Sequence, residues 1–136
     1  MRGQNEMTVG AFLQFLQDET GCPDWTAGED FGSTDEILLR KNCARILHRY
    51  LQKVMGVKDL SIGLPSYEDV RDIYDCRICA PHISQVLARG IMQTYTRGNL
   101  QLFEGNREVD QKEASEYIRR MLSTGNDAHM NNLTEE

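Results

Sequence analysis

"LLRKNCARILHRYL" (residues 38–51) and "VDQKEASEYIRRML" (109–122) lie 71 positions apart and carry one pattern. Leu38 meets Val109, Ala44 meets Ser115, Leu47 meets Ile118, Arg49 meets Arg120 and Leu51 meets Leu122. The same offset sets Phe12 on Ile83, Phe15 on Val86 and Leu16 on Leu87. Between the paired segments, each half has a loop with one phenylalanine, Phe31 or Phe103, shortly before its second helix. A shared helical period reproduces part of such a match, but the repeated loop does not follow from periodicity. The chain therefore reads as an internal duplication of a helix–loop–helix unit.

The local patterns agree. Val9, Phe12, Leu13 and Leu16 fall at helical spacing behind Thr8, a capping residue, and Gly21 stops the run. The longest helix is expected from about Glu36 to Met55, with Ser33 and Glu36 as a capping box or Thr34 or Asp35 as the cap instead. Its apolar stripe is Leu39, Cys43, Ile46, Leu47, Tyr50 and Val54, with Arg40, Arg45, Arg49 and Lys53 towards the other side. Pro81 suits the first turn of a third helix carrying Ile83, Val86 and Leu87 and ending at Gly90. Asp110 with Glu113 opens the fourth. No segment alternates convincingly as a strand, so the expectation is an all-α fold: two helix–loop–helix repeats packed as a small helical bundle. The parts are a flexible N-terminus (1–7), repeat 1 (8–56), a connector (57–66), repeat 2 (67–122) and a flexible acidic tail (123–136).

At 136 residues and a net charge of −6, a folded domain is affordable and binding to nucleic acid through its phosphates is disfavoured. No stretch is long and apolar enough for a membrane span, and "MRGQNEMTVG" (1–10) is not a secretory signal. The expected location is cytoplasmic as the sequence stands, or the cell envelope if a signal has been removed. The four cysteines then read as reduced thiols more naturally than as a disulfide framework.

"YEDVRDIYDCRICAPHISQVLARGIM" (67–92) followed by "LFEGNREVDQKEASEYIRRML" (102–122) resembles an S-layer homology repeat. Tyr67-Glu68-Asp69-Val70 stands for the F-x-D-V opening, Gly90-Ile91 for the helix end, and Phe103 for the loop phenylalanine. Val109-Asp110-Gln111-Lys112-Glu113 stands for the I-T-R-A-E motif, and Leu38-Leu39-Arg40-Lys41-Asn42 holds that place in the first half. The resemblance implies a non-catalytic module that grips acidic secondary cell-wall polysaccharide through the motif arginine and loop residues. Arg40 keeps that arginine, whereas Gln111 replaces it with an uncharged amide. Leu39 has no capping group, which implies a helix start further upstream. Two repeats stand where the family usually has three, which leaves an open side and suggests a homodimer.

"DCRICAPH" (75–82) admits three readings. Cys76, Cys79 and His82 have compact zinc-ligand spacing, and Cys22, Cys43 or His48 could supply the fourth ligand. Cys79 just ahead of a helix would favour a thiolate and hence redox chemistry, although no strand–C-x-x-C–helix context surrounds it. The preferred reading is plain structural cysteines at a helix entry, with no metal or other cofactor. Cys43 aligns with Ala114 on an apolar stripe, where a small buried side chain suffices. Asp110 and Glu113 read as a cap in preference to an acid–base couple. With no nucleophile–base pair or phosphate loop visible, the expectation is not an enzyme but a binding module. Arg40, Arg45, Arg49, Gln111 and Trp25 are its candidate ligand contacts, with an acidic glycan or a protein partner as ligand. The alternative is a cytoplasmic adaptor or regulator that keeps the scaffold without the sugar, and a third reading is a small zinc-stabilised regulator.

Overall fold

Thr8 opens the first helix from an extended backbone, its Oγ1 accepting the Ala11 N–H at 3.1 Å. That satisfies one of the amides a helix start leaves without an internal partner. Helix α1 (Val9–Thr20) buries Val9, Phe12 and Leu16 and ends where Gly21 takes a φ of 70°, a conformation that favours glycine. The computed structural model describes residues 7–21, 31, 33–60 and 70–134, with side chains through Thr124. Trp25, Cys22 and Tyr67-Glu68-Asp69 lie outside the described residues.

Helix α2 (Arg40–Lys53) begins later than its sequence pattern suggests. Ser33 does not cap it; its Oγ accepts the Asp35 N–H at 3.3 Å. Leu38 stays extended because its backbone is shared between two neighbours. Its N–H donates to Met7 O at 2.8 Å, and its carbonyl accepts the Val109 N–H at 2.9 Å. Leu39 stands at the N-cap with no side-chain bond. The missing cap is supplied by the other half of the chain: Arg40 N–H donates to Arg107 O at 2.9 Å and Lys41 N–H to Gly105 O at 3.0 Å. The upstream start implied by Leu39 is thus corrected.

Helix α3 (Ala80–Ala88) has Pro81 in its first turn and buries Ile83 and Val86, and Gly90 follows it with φ 73°. Helix α4 (Gln111–Thr134) is opened by a reciprocal box. Asp110 Oδ1 accepts the Glu113 N–H at 2.8 Å, and Glu113 Oε1 accepts the Asp110 N–H at 3.2 Å. The helix continues through the polar segment expected to be a flexible tail.

The all-α expectation is overturned by a hairpin between α3 and α4. Strands β1 (Tyr95–Arg97) and β2 (Leu100–Leu102) pair antiparallel, with Thr96 opposite Gln101. Gly98, at φ 64°, turns the chain with Asn99, a two-residue connection of the kind that matches strand twist. Isolated bridges join Thr8 to Ile37, Leu39 to Glu108 and Val70 to Gln101. Among the described residues the architecture is mixed, four α-helices with a small two-stranded sheet.

Helix α2 is the centre, packing on α3 and on α4. Cys43, Ala44, Ile46, Leu47, Tyr50 and Leu51 are buried on it, so it contacts core on two sides. Helix α4 is more peripheral: Ala114, Tyr117, Ile118 and Met121 face inwards, while Ser115, the counterpart of Ala44, is exposed. Cys43 and Ala114 are both fully buried, and burial pushes the Cys43 thiol well above its ordinary pKa. This difference between central and peripheral helix decides where the motif residues end up.

Candidate functional site

Arg40, expected on the solvated side of α2, is fully buried. Its Nε donates to Phe103 O at 2.9 Å, Nη1 to Tyr117 Oη at 2.7 Å and Tyr95 Oη at 3.4 Å, and Nη2 to Gln93 O. The guanidinium carbon lies 4.5 Å from the Phe103 ring centroid, 4.8 Å from Tyr95 and 5.9 Å from Tyr117. A buried cation is tolerable only when its donors are matched, and here carbonyls, phenols and ring faces match them. Burial raises the Tyr117 phenol above its ordinary pKa, with the Arg40 charge opposing. Arg40 therefore ties the hairpin and α4 to α2 from inside the core, away from any ligand-facing surface.

Among the described residues, the other candidates do not converge with it. Gln111 is exposed in the first turn of α4, in a shallow depression shared with Phe15, Lys112, Ser115 and Glu116. Arg45 and Arg49 are partly buried on α2, where Nη1 of each donates to Asn42 Oδ1 (3.5 Å) and Gln52 Oε1 (2.7 Å) respectively. Both cations act on a histidine pair. His48 Nδ1 lies 2.7 Å from His82 Nδ1, and His48 Nε2 lies 2.6 Å from Asp59 Oδ1. Because the carboxylate accepts, His48 donates through Nε2, and the facing Nδ1 atoms share one hydrogen. The pair can hold one positive charge but not two. Burial, followed by the charges of His48, Arg45 and Arg49, pushes His82 down to about 4, with Asp59 opposing.

Cys76 and Cys79 are joined in a disulfide, which corrects the expectation of reduced thiols for this pair. Their sulfurs are thereby occupied, and His82 turns to His48, so the zinc set Cys76, Cys79 and His82 is not assembled. Among the described residues, no three His, Cys, Asp or Glu side chains form a group able to hold a metal ion.

What does assemble is a cleft of about 320 Å³ between the start of α2, the Asp72–Cys76 turn and the loop 103–107. Asp72 builds one wall, its carboxylate accepting the Phe103 N–H at 2.7 Å and the Glu104 N–H at 2.8 Å. This clamp holds Glu104 at φ 58°, a left-handed conformation uncommon for a residue with a side chain. Glu104 also pairs with Arg97 at 2.6 Å and Arg107 at 3.3 Å. The Arg97 hydrogen bond is the main reason its carboxyl sits well below the usual carboxylate range, with Arg107 adding to it against partial desolvation. Lys41, Asp75 and Asn106 line the same cleft, and their side chains have no hydrogen-bond or ionic partner among the described residues. Gly105 sits close against Lys41: a Cβ there would meet Lys41 Cβ at 3.2 Å.

Apart from Cys76, weighed as a zinc ligand, none of these cleft residues is among the sequence candidates. One signal was available: Lys41 and Lys112 correspond at the 71-residue offset, and each lines a depression beside the start of its helix. Comparisons with family models, curated proteins and solved structures find no match.

Proposed function

We propose that this chain is a non-catalytic binding module, and that it takes an acidic, hydroxyl-rich glycan of the cell-wall polysaccharide kind in the cleft beside Lys41. The observation that carries the reading is the set of polar side chains there without a partner among the described residues, Lys41, Asp75 and Asn106, gathered from three segments around one concavity. A saccharide hydroxyl both donates and accepts. An ammonium, a carboxylate and an amide together match such hydroxyls, and Lys41 and Arg107 supply charge for an acidic substituent. The resemblance to S-layer homology repeats supports the same class of ligand, with one change. The contact it implies for Arg40 passes to the neighbouring Lys41, because the Arg40 guanidinium is used inside the fold. A disulfide favours an oxidising setting such as the cell envelope.

The test is co-sedimentation with purified bacterial wall carrying its secondary polysaccharide. Lys41→Ala and Asn106→Ala are expected to reduce binding about tenfold each, the effect of losing about 1.4 kcal/mol. Arg45→Ala, away from the cleft, is expected to bind normally. Folded variants that bind as tightly as the parent chain would refute the cleft as the site.

A protein partner is the second reading, favoured by Tyr74 and Ile78, which are 48 % and 68 % exposed on the segment bordering the cleft. Large apolar side chains left in water are a feature of docking surfaces. Retention of wall binding in Ile78→Ser would separate that surface from the glycan cleft.

A further inference from the structure

The Cys76–Cys79 bond has two unequal ends. Cys76 is partly exposed and lines the cleft, whereas Cys79 is 1 % exposed. Cys79 is also the N-cap residue of α3, where no side-chain hydrogen bond caps the helix. Thiol–disulfide exchange needs an open line to the sulfur that is attacked. A helix N-terminus favours a thiolate at Cys79 and burial among apolar side chains opposes it, so access decides the direction of attack.

We propose that Cys76 is a thiol-exchange site: a small external thiolate entering the cleft attacks Cys76 Sγ and becomes joined to it. One sulfur–sulfur bond forms between the incoming thiol and Cys76. The Cys76–Cys79 bond breaks, and its electron pair leaves on Cys79 as a thiolate. Attack of a second thiolate on the incoming sulfur releases a small-molecule disulfide and leaves Cys76 and Cys79 reduced. Two electrons pass from the two external thiols to the protein, and no other reductant is required.

The charges around Cys76 balance, Lys41, Arg97 and Arg107 against Asp72, Asp75 and Glu104, so access and not charge decides the attack. The inference uses the exposure of Cys76 and does not depend on what the cleft binds.

The experiment exposes the native full chain to cysteamine for short times, quenches with acid, blocks free thiols with N-ethylmaleimide and maps the peptides. The expected product has cysteamine on Cys76 and maleimide on Cys79, in at least tenfold excess over the reverse. A second measurement compares single variants: Cys79→Ser leaves an accessible thiol at Cys76, and Cys76→Ser leaves a buried one at Cys79. The first is expected to react with a disulfide probe at least tenfold faster. Adducts on Cys79, equal labelling of both sulfurs, or opening only in denaturant would each overturn the assignment.

Discussion

The Nη1 of Arg40 donates to the hydroxyl of Tyr117 at 2.7 Å, joining the first residue of the central helix to a residue 77 positions away. Around this bond the guanidinium also holds the carbonyls of Phe103 and Gln93. Removing Arg40 would leave a cavity and several buried acceptors without donors. Arg40→Ala is expected to cost about 3–5 kcal/mol. Arg40→Lys keeps the charge but not the fork and should fall between, while Tyr117→Phe, losing one charge-assisted bond, should cost about 1.5–3 kcal/mol. Urea unfolding midpoints measure all three, and an alanine variant within about 1 kcal/mol of the parent would contradict a structural role for the arginine.

The histidine pair sets a pH dependence. His82 titrates near 4 when folded and near the ordinary 6.5 when unfolded, so the unfolded chain takes up its proton first. Its contribution is therefore fully present above pH 6.5 and is lost as the pH falls towards 4. Discounted for the partial exposure of the ring, the loss between pH 7 and pH 5 is about 1 kcal/mol. Asp59 works in the same direction: desolvation raises its pKa, but the His48 hydrogen bond and charge outweigh it, and the carboxyl ends lowered. Unfolding curves at the two pH values should converge in His82→Gln, and an undiminished pH effect in that variant would remove His82 from the account.

Two helix starts make opposite predictions. Asp110→Ala removes a side chain that accepts the Glu113 N–H and is expected to cost about 1 kcal/mol. Introducing a cap at the other start, with Leu39→Ser, should bring no gain. The Lys41 amide already donates to Gly105 O and the Asn42 amide to Leu39 O, at 3.0 Å each. Thermal melts of the two variants test the contrast, and a stabilised Leu39→Ser would show that the carbonyls of the facing loop are poor substitutes for a side chain.

Asp72 is the support of the cleft. Asp72→Ala strips two acceptors from the Phe103 and Glu104 amides and is expected to cost about 2–3 kcal/mol. The same variant should lose hydrogen-exchange protection at those two amides ahead of the helices, and it should weaken wall binding even where it remains folded. Unchanged exchange at both positions would mean that the loop holds itself.

Legibility in the sequence followed the range of the interactions. Thr8, Gly21, Gly90 and the Asp110–Glu113 box act on their own helices, and each was readable where it stands. The start of α2 was not, because its amides are satisfied by carbonyls from the other half of the chain and nothing nearby announces them. The hairpin left one trace, a Gly98-Asn99 pair between short runs, but three-residue strands are too brief for alternation to register. Arg40 falls among the charged positions of its helix by spacing alone; three aromatic rings arriving from later segments make the position interior. The cleft was hidden for the same reason, being assembled from separate stretches that only the tertiary fold brings together.

The loop carbonyls that finish α2 also bear on how the two halves of the chain can behave. Here the first half borrows the completion of its central helix and the lining around its buried cation from the second. Severed at the connector, residues 8–56 would keep the arginine but lose the phenols and carbonyls that make its burial tolerable. Each half thus completes the other, and neither can be altered at these contacts without a matching change across the connector.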